Sequence, residues 1–222
     1  MFLSFSLKIF ASFASFVVKN YMQALPRNFY EPSAEIVAPE LLGHFLLRST
    51  PEGICGGVIV ETEAYLTNDP ACHAYVRETP RNKSMWGDCG NAYVYLIYGF
   101  HCCFNAVCGK AGVAEAVLVR AIEPTIGIEI LQANRGVLRP RDLTNGPAKL
   151  CAAMQVNREL DGVDICVASS PLFIAENPDR STLIAYRAPL VQTTRIGLTK
   201  AADWPLRWYL GGSEFVSKRA TQ

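Results

Sequence analysis

The segment GGVIVETEAY (56–65) carries two glutamates inside an otherwise apolar, β-branched run, and this pattern reads as a strand. Alternate residues of a strand share a face, so Ile59, Glu61, Glu63 and Tyr65 are expected on one side. Val58, Val60 and Thr62 are expected on the other, towards a core. Two carboxylates separated by one residue on a strand lie roughly 7 Å apart. That spacing falls in the window of about 6.5–9.5 Å used by inverting glycosidases. It equally suits one general base supported by its neighbours, or two solvated glutamates on an open sheet face. Spacing alone does not say which glutamate acts.

Further strands are expected at 44–48, 93–98, 103–108 and 114–121, with short ones in the last 40 residues, including 207–212. The turn Gly109-Lys110-Ala111-Gly112 joins two of them. SAEIVAPELLG reads as a short helix or two half-turns, with Ser33 as N-cap, an interruption at Pro39 and an end at Gly43. Residues 125–135 and 147–156 read as helices, and 66–92 as a polar loop. No repeat or linker is present. The expected architecture is a single mixed α+β domain, a largely antiparallel, curved β-sheet flanked by helices.

Half of the 222 residues are hydrophobic and 18% are charged, which excludes a disordered chain. The net charge of +1 is not the footprint of a strongly basic nucleic-acid binder, although local patches matter more than the sum. Residues 1–21 stand apart as an apolar N-terminal extension. The segment is read as an upstream stretch before a true start at Met22, as an export or anchor segment, or as an ordinary helix. Its only charges are Lys8 and Lys19, so without it the net charge falls to −1. Residues 22–222 form the expected domain. Whether the protein touches a membrane depends on residues 1–21.

The eight cysteines, at 55, 72, 89, 102, 103, 108, 151 and 166, include no C-x-x-C pair, and Cys102 and Cys103 are adjacent. Zinc sites use ligand pairs at short spacing, whereas His101-Cys102-Cys103 with Cys108 gives one crowded cluster. Reduced thiols packed as small hydrophobes are the expected state.

Other residues draw attention by type and place. Tyr93 and Tyr95 share a strand face, and Tyr98 lies on the other face or past the strand end beside Gly99. Such rings pack in a core, stack a planar ligand, or project from a strand end as a wedge. Arg120 sits inside the apolar run AVLVRAIEP and requires an acceptor, for which Glu61 or Glu63 is the natural partner. His73 is a ligand-facing donor or a loop histidine. The loop RETPRNK concentrates Arg77, Thr79, Arg81 and Lys83, groups that suit phosphate oxygens or a solvated loop. Lys149 follows Gly146-Pro147 at a helix start, where it reaches a phosphate, forms a Schiff base or stays solvated.

Taken together, LLGHFLLR, GGVIVETEAY, HAYVRETPRNKSMWG, GNAYVYLIYGFHCCFN, AVLVRAIEP and NGPAKLC resemble the alkyladenine (3-methyladenine) DNA glycosylase family of mammals and many bacteria. A weaker match lies in TTRIGLTKAADWPLRWY, and the stretches cover about residues 36–217 in the family's order. The resemblance implies hydrolysis of the N-glycosidic bond of alkylated or deaminated purines after base flipping, leaving an abasic site. It implies Glu63 as the general base that activates water and Arg120 as the arginine that helps hold that site. It implies Tyr65, His73 and Tyr95 as pocket walls, Asn105 as a floor residue that disfavours guanine's exocyclic amine, and Tyr98 as the intercalating wedge. Thr79, Arg81 and Met85 match a DNA-contacting loop, and Lys149 is a further candidate DNA contact. Implied with these are double-stranded DNA containing damaged purines as partner, a monomer, no metal or organic cofactor, and a bacterial cytoplasmic or eukaryotic nuclear location. Arg77 stands where the family usually has glycine. A sugar-directed glycosidase using Glu61 and Glu63, and a protein that binds lesions without hydrolysis, are the competing readings.

Overall fold

A computed structural model of the protein describes residues 22–186 and 190–220; the apolar extension 1–21 lies outside the described residues. Eight strands form one antiparallel, curled sheet: β1 (Phe45–Thr50), β2 (Gly53–Tyr65), β3 (Ala92–Ile97), β4 (His101–Cys108), β5 (Glu115–Ile126), β6 (Leu172–Ala175), β7 (Leu190–Thr193) and β8 (Arg207–Leu210). The main path runs β3-β4-β5-β2-β1-β6, with β8 on β2 and β7 on β8. Strand β2 is long enough to serve two neighbours along one edge. Its first half pairs with β1, and Glu61 to Glu63 pair with β8. The α-helices among the described residues are α1 (Ala34–Leu41), α2 (Ile128–Arg135), α3 (Pro147–Ala153) and α4 (Arg180–Tyr186).

The expected fold class is observed, with local corrections. Helix α1 runs through Pro39 rather than breaking there. Proline removes one backbone donor near the end of a short helix, and the remaining bonds hold the turn. Gly43 then ends the segment at φ +87°. Strand β4 starts at His101, two residues before the expected position. Strand β6 and helix α4 are additional to the expected elements. The double glycine that opens GGVIVETEAY permits close approach: a Cβ on Gly57 would lie 1.9 Å from the Glu123 carbonyl oxygen, and one on Gly56 2.0 Å from that of Leu46.

Two of the three buried apolar clusters use the two faces of the sheet, the third gathering Leu47, Ile54, Phe173 and Ala175 of β1, β2 and β6. Val94 of β3, Phe104 and Ala106 of β4, Val117 and Val119 of β5 and Ala64 of β2 pack with Val37, Ala38 and Leu41 of α1 and Leu150 and Cys151 of α3. Thr62 joins this face, its hydroxyl donating to the Ala38 carbonyl at 2.9 Å. The opposite parity builds a smaller cluster from Cys72, Met85, Tyr93, Val107 and Ala116, with Tyr65 and Tyr95 against it. All eight cysteines are free and six are buried. Strand parity dissolves the His-Cys-Cys run as a cluster, because Cys102 and Cys103 point to opposite faces. No helix among the described residues is long and apolar enough to cross a membrane.

Candidate active site

The second face of the sheet carries one row of aligned residues. Tyr93 pairs with Asn105, Asn105 with Leu118, Leu118 with Glu63, and Glu63 with Arg207. Residues directly opposite one another in an antiparallel sheet point to the same side. One row therefore sets Tyr93, Asn105, Leu118 and Glu63 on a common floor, with Tyr65, Tyr95, Cys103 and Arg120 beside it.

This face borders a cavity of about 300 Å³ lined by Tyr65, His73, Met85, Tyr93, Tyr95, Tyr98, Asn105 and Arg120, among others. Its volume lies at the small end of ligand pockets, enough for one flat ring system and too little for an oligosaccharide chain. The segment Ile196 to Leu198 closes one side, and Pro147 of α3 contributes a further contact. Tyr93 and Tyr95 are stacked, with centroids 5.4 Å apart and planes inclined by 29°. His73 meets Tyr95 edge-on at 4.4 Å, and its Nδ1 lies 3.0 Å from the Tyr93 hydroxyl. Although His73 keeps an exposed edge, burial of its ring, reinforced by the nearby Arg81 guanidinium, lowers its pKa to about 4. The ring is thus neutral at pH 7 and presents no charge to the cavity.

The two glutamates differ in their partners. Both are 0% exposed, so neither is a solvated carboxylate on an open face. Glu61 receives Arg120 Nε at 3.2 Å, Arg207 Nη1 at 2.8 Å, the Ser217 hydroxyl at 2.9 Å and the Ser217 N–H at 2.7 Å. A carboxylate offers about four acceptor sites; three of these donors crowd Oε1 and the Ser217 N–H takes a site on Oε2, and of the donor residues only Arg120 lines the cavity. Glu63 receives the Ile196 N–H at 2.8 Å on Oε1, and on Oε2 the Tyr65 hydroxyl at 2.9 Å and Arg120 Nη1 at 3.1 Å. One acceptor site is left, and all three donors belong to residues that line the cavity.

Arg120 reaches both carboxylates because the ladder is irregular around Glu61. Register shifts on either side of it leave Val60 of β2 and Arg120 of β5 without direct partners in the β2–β5 pairing. Such bulges re-aim side chains. The same irregularity interrupts the simple alternation: the consecutive residues Val58, Ile59 and Val60 all pack in the large core. Burial opposes the charge on Arg120, yet the Glu63 and Glu61 carboxylates outweigh it and hold its pKa above the usual arginine value.

Tyr98 stands on the rim, 81% exposed, in the hairpin turn between β3 and β4. Its φ of +54° is uncommon for a residue with a side chain. Of the loop residues, Met85 is buried in the cavity wall, whereas Arg81 is exposed with its guanidinium 5.7 Å from the Tyr95 centroid. Thr79 and Arg77 are held through Asn82, which accepts from the Thr79 N–H at 2.6 Å and donates to the His73 and Arg77 carbonyls at 2.9 and 3.0 Å. Lys149 lies outside the cavity lining, exposed, with its Nζ on Asn145 Oδ1 at 2.9 Å.

The pattern of the family described as "Methylpurine-DNA glycosylase" matches residues 28–214. A protein of Methanoculleus marisnigri named "Putative 3-methyladenine DNA glycosylase" is 47% identical over 195 residues, covering 88% of this chain and 99% of that protein. Proteins of the same name from Francisella tularensis and Carboxydothermus hydrogenoformans are each 45% identical. The first alignment covers 82% of this chain and 92% of the relative, the second 88% and 99%. With its buried glutamate beneath a tyrosine-walled cavity and this extent of identity, the chain belongs to the methylpurine-DNA glycosylase family.

Proposed function

We propose that the protein excises damaged purines, 3-methyladenine among them, from duplex DNA as the first step of base-excision repair. The observation that carries this reading is the open acceptor site on Glu63. A buried carboxylate, oriented by three donors that also line the cavity, has one lone pair left for a water proton.

In the proposed reaction the nucleotide rotates out of the duplex and its base enters the cavity between Tyr65, His73 and the Tyr93–Tyr95 pair. Tyr98, already projecting from its turn, fills the vacated space. Unstacking costs a few kcal/mol and least at damaged pairs. Water attacks C1′ while Glu63 accepts its proton. The C1′–N bond breaks, its electron pair leaves with the base, and the sugar keeps a hydroxyl as an abasic site. Arg120 holds the carboxylate of Glu63 in place. Asn105, with its Nδ2 donating to the Tyr93 carbonyl at 3.0 Å, closes the floor against purines bearing an extra exocyclic amine. Among the described residues the cavity lining contains no lysine, which favours a free abasic site over a covalent intermediate leading to strand cleavage.

A sugar-directed glycosidase would use Glu61 as a second acid or base, but that carboxylate is paired with two buried guanidiniums and with Ser217, and of these only Arg120 lines the cavity. A lesion binder without hydrolysis has no need for the open site on Glu63. Duplexes carrying hypoxanthine, ethenoadenine or an alkylated purine test the reading, with alkali cleavage reporting abasic sites. Alkali-dependent cleavage at the lesion is expected, and absence of product from every duplex would overturn it.

A further inference from the structure

Glu61 has no place in the reaction described, yet it lies at the centre of the densest buried polar cluster around the site. Its side chain is 0% exposed, and of the residues that donate to it only Arg120 lines the cavity. Three other parts of the chain meet on Glu61. Arg120 comes from β5 and Arg207 from β8, while Ser217 from the C-terminal segment donates both its backbone N–H and its hydroxyl. Through Arg207, the Thr194 carbonyl before the cavity-closing loop is fixed at 2.8 Å and the Lys218 carbonyl at 2.7 Å.

The charges in this cluster balance. Two carboxylates, Glu61 and Glu63, face two guanidiniums, Arg120 and Arg207, all buried. An uncompensated charge in such a place costs several kcal/mol, so the cluster is built as a set. Without Glu61, Arg120 would turn its whole charge on Glu63. A carboxylate under a full guanidinium field is a poorer proton acceptor than one whose arginine is shared. Sharing Arg120 also fixes it at two points, Nε on Glu61 and Nη1 on Glu63, which sets the plane of the guanidinium and so the direction of the Glu63 carboxylate.

We propose that Glu61 is a positioning residue for base release, acting through Arg120 to orient Glu63 and to keep it a competent proton acceptor. The inference rests on Glu63 being the base, as set out above. Other groups facing Glu63 do not substitute for Glu61. On its own strand Tyr65 is neutral, its pKa raised well above the usual tyrosine value by burial and by Glu63. Tyr95 of β3 and Cys103 of β4 are likewise raised, chiefly by burial. The Asp69–Arg195 pair behind Tyr65 is internally balanced. His73 across the cavity titrates at about 4, an effect common to all variants.

The test compares Glu61→Gln and Arg207→Gln with the unaltered protein, measuring single-turnover base release across pH and binding to a lesion duplex. Glu61→Gln is expected to slow base release about tenfold at pH 7 and to leave lesion binding intact. The pH below which its rate falls should move down by about one unit. Arg207→Gln, which gives Glu61 more influence over Arg120, should move the same limb up. A packing role does not produce shifts of opposite sign. Equal or same-direction shifts, loss of rate only in parallel with loss of lesion binding, or failure of both variants to fold by circular dichroism would overturn the inference. If the unaltered protein releases no base, the proposed function fails and this inference with it; an active protein whose variants do not diverge removes only the latter.

Discussion

The backbone N–H of Ile196 donates to Oε1 of Glu63 at 2.8 Å, joining positions 133 residues apart. This bond makes the glutamate part of two structures at once, the rigid centre of β2 and the segment that closes the cavity. Next to Ile196, Arg195 is fixed to Asp69, to the Ala64 carbonyl at 2.9 Å and over the Tyr65 ring at 4.7 Å. The carboxylate is thus oriented from both sides before any substrate arrives, which is what electrostatic preorganisation requires.

Glu63→Gln keeps the shape of the side chain and removes its capacity to take a proton. Base release should fall by about 10²-fold or more, while affinity for a lesion duplex persists, because the cavity walls and Tyr98 are untouched. Single-turnover excision and gel-shift binding on the same duplex separate the two. Retained excision would show that another group accepts the proton.

Tyr98 invites a test in which fold and function part company. Its side chain is 81% exposed and its φ is +54°, so the ring contributes little packing while the backbone is held in the left-handed region. Tyr98→Gly should relieve strain of about 1 kcal/mol and leave the melting temperature equal or higher. Lesion binding and excision should nevertheless weaken about tenfold, since no group remains to fill the vacated stack. Thermal melts and excision rates on one preparation check both halves, and undiminished excision would remove the wedge role.

Much of this site is legible in strand parity. Period-two placement brings Tyr65, Tyr95 and Asn105 onto one face because β2, β3 and β4 are regular where those residues sit, whereas Arg120 owes its reach to an irregular stretch of the β2–β5 ladder. The rule fails at Ile59, since nothing in VIVETEAY announces the irregularity at Val60. Tyr93 has no role among those the resemblance implies, yet it borders the same cavity as Tyr95; a buried ring and a pocket ring share one sequence signature. Ile196 and Asn82 are invisible for a different reason. Each acts through backbone or loop contacts that exist only after distant segments meet, and no residue type marks them beforehand. Helix α4 is seven residues long and packs Leu183 and Ile184, both half-buried, against the core, a stripe too short for periodicity to announce it.

Acid should destabilise the fold before carboxylates titrate. Burial, followed by the nearby Arg180, lowers the pKa of His44 to about 4, and its Nδ1 accepts the Asn177 N–H at 3.2 Å. The unfolded chain binds a proton near the ordinary histidine value of about 6.5, whereas the folded protein does not until about pH 4. Between these values the unfolded state holds more protons, so stability falls as pH falls, at up to ~1.4 kcal/mol per pH unit for this one group. His73, lowered to about 4 in the same way, adds to the slope. Urea midpoints between pH 7 and pH 4 should decline, and His44→Gln should flatten the decline. An unchanged slope in that variant would assign the acid sensitivity elsewhere.

The Asp69–Arg195 pair is the last lever, because both side chains are 0% exposed and the pair anchors the residue adjoining Ile196. Asp69→Asn leaves the guanidinium buried without a counter-charge, at a cost of about 3–5 kcal/mol. In a domain of this size that lowers the melting temperature by about 10 °C. Base release should also slow at temperatures where the variant remains folded, since the Ile196 N–H is no longer fixed against Glu63. Replacing both partners, Asp69→Leu with Arg195→Met, removes the buried charge and should restore much of the stability. It should not restore the rate, because the apolar pair lacks the bonds from Arg195 to Asp69 and to the Ala64 carbonyl that hold the loop in register with β2. Melting curves and single-turnover rates on the two variants decide the matter. A double variant that recovers both together would show that the pair serves the fold and not the orientation of Glu63.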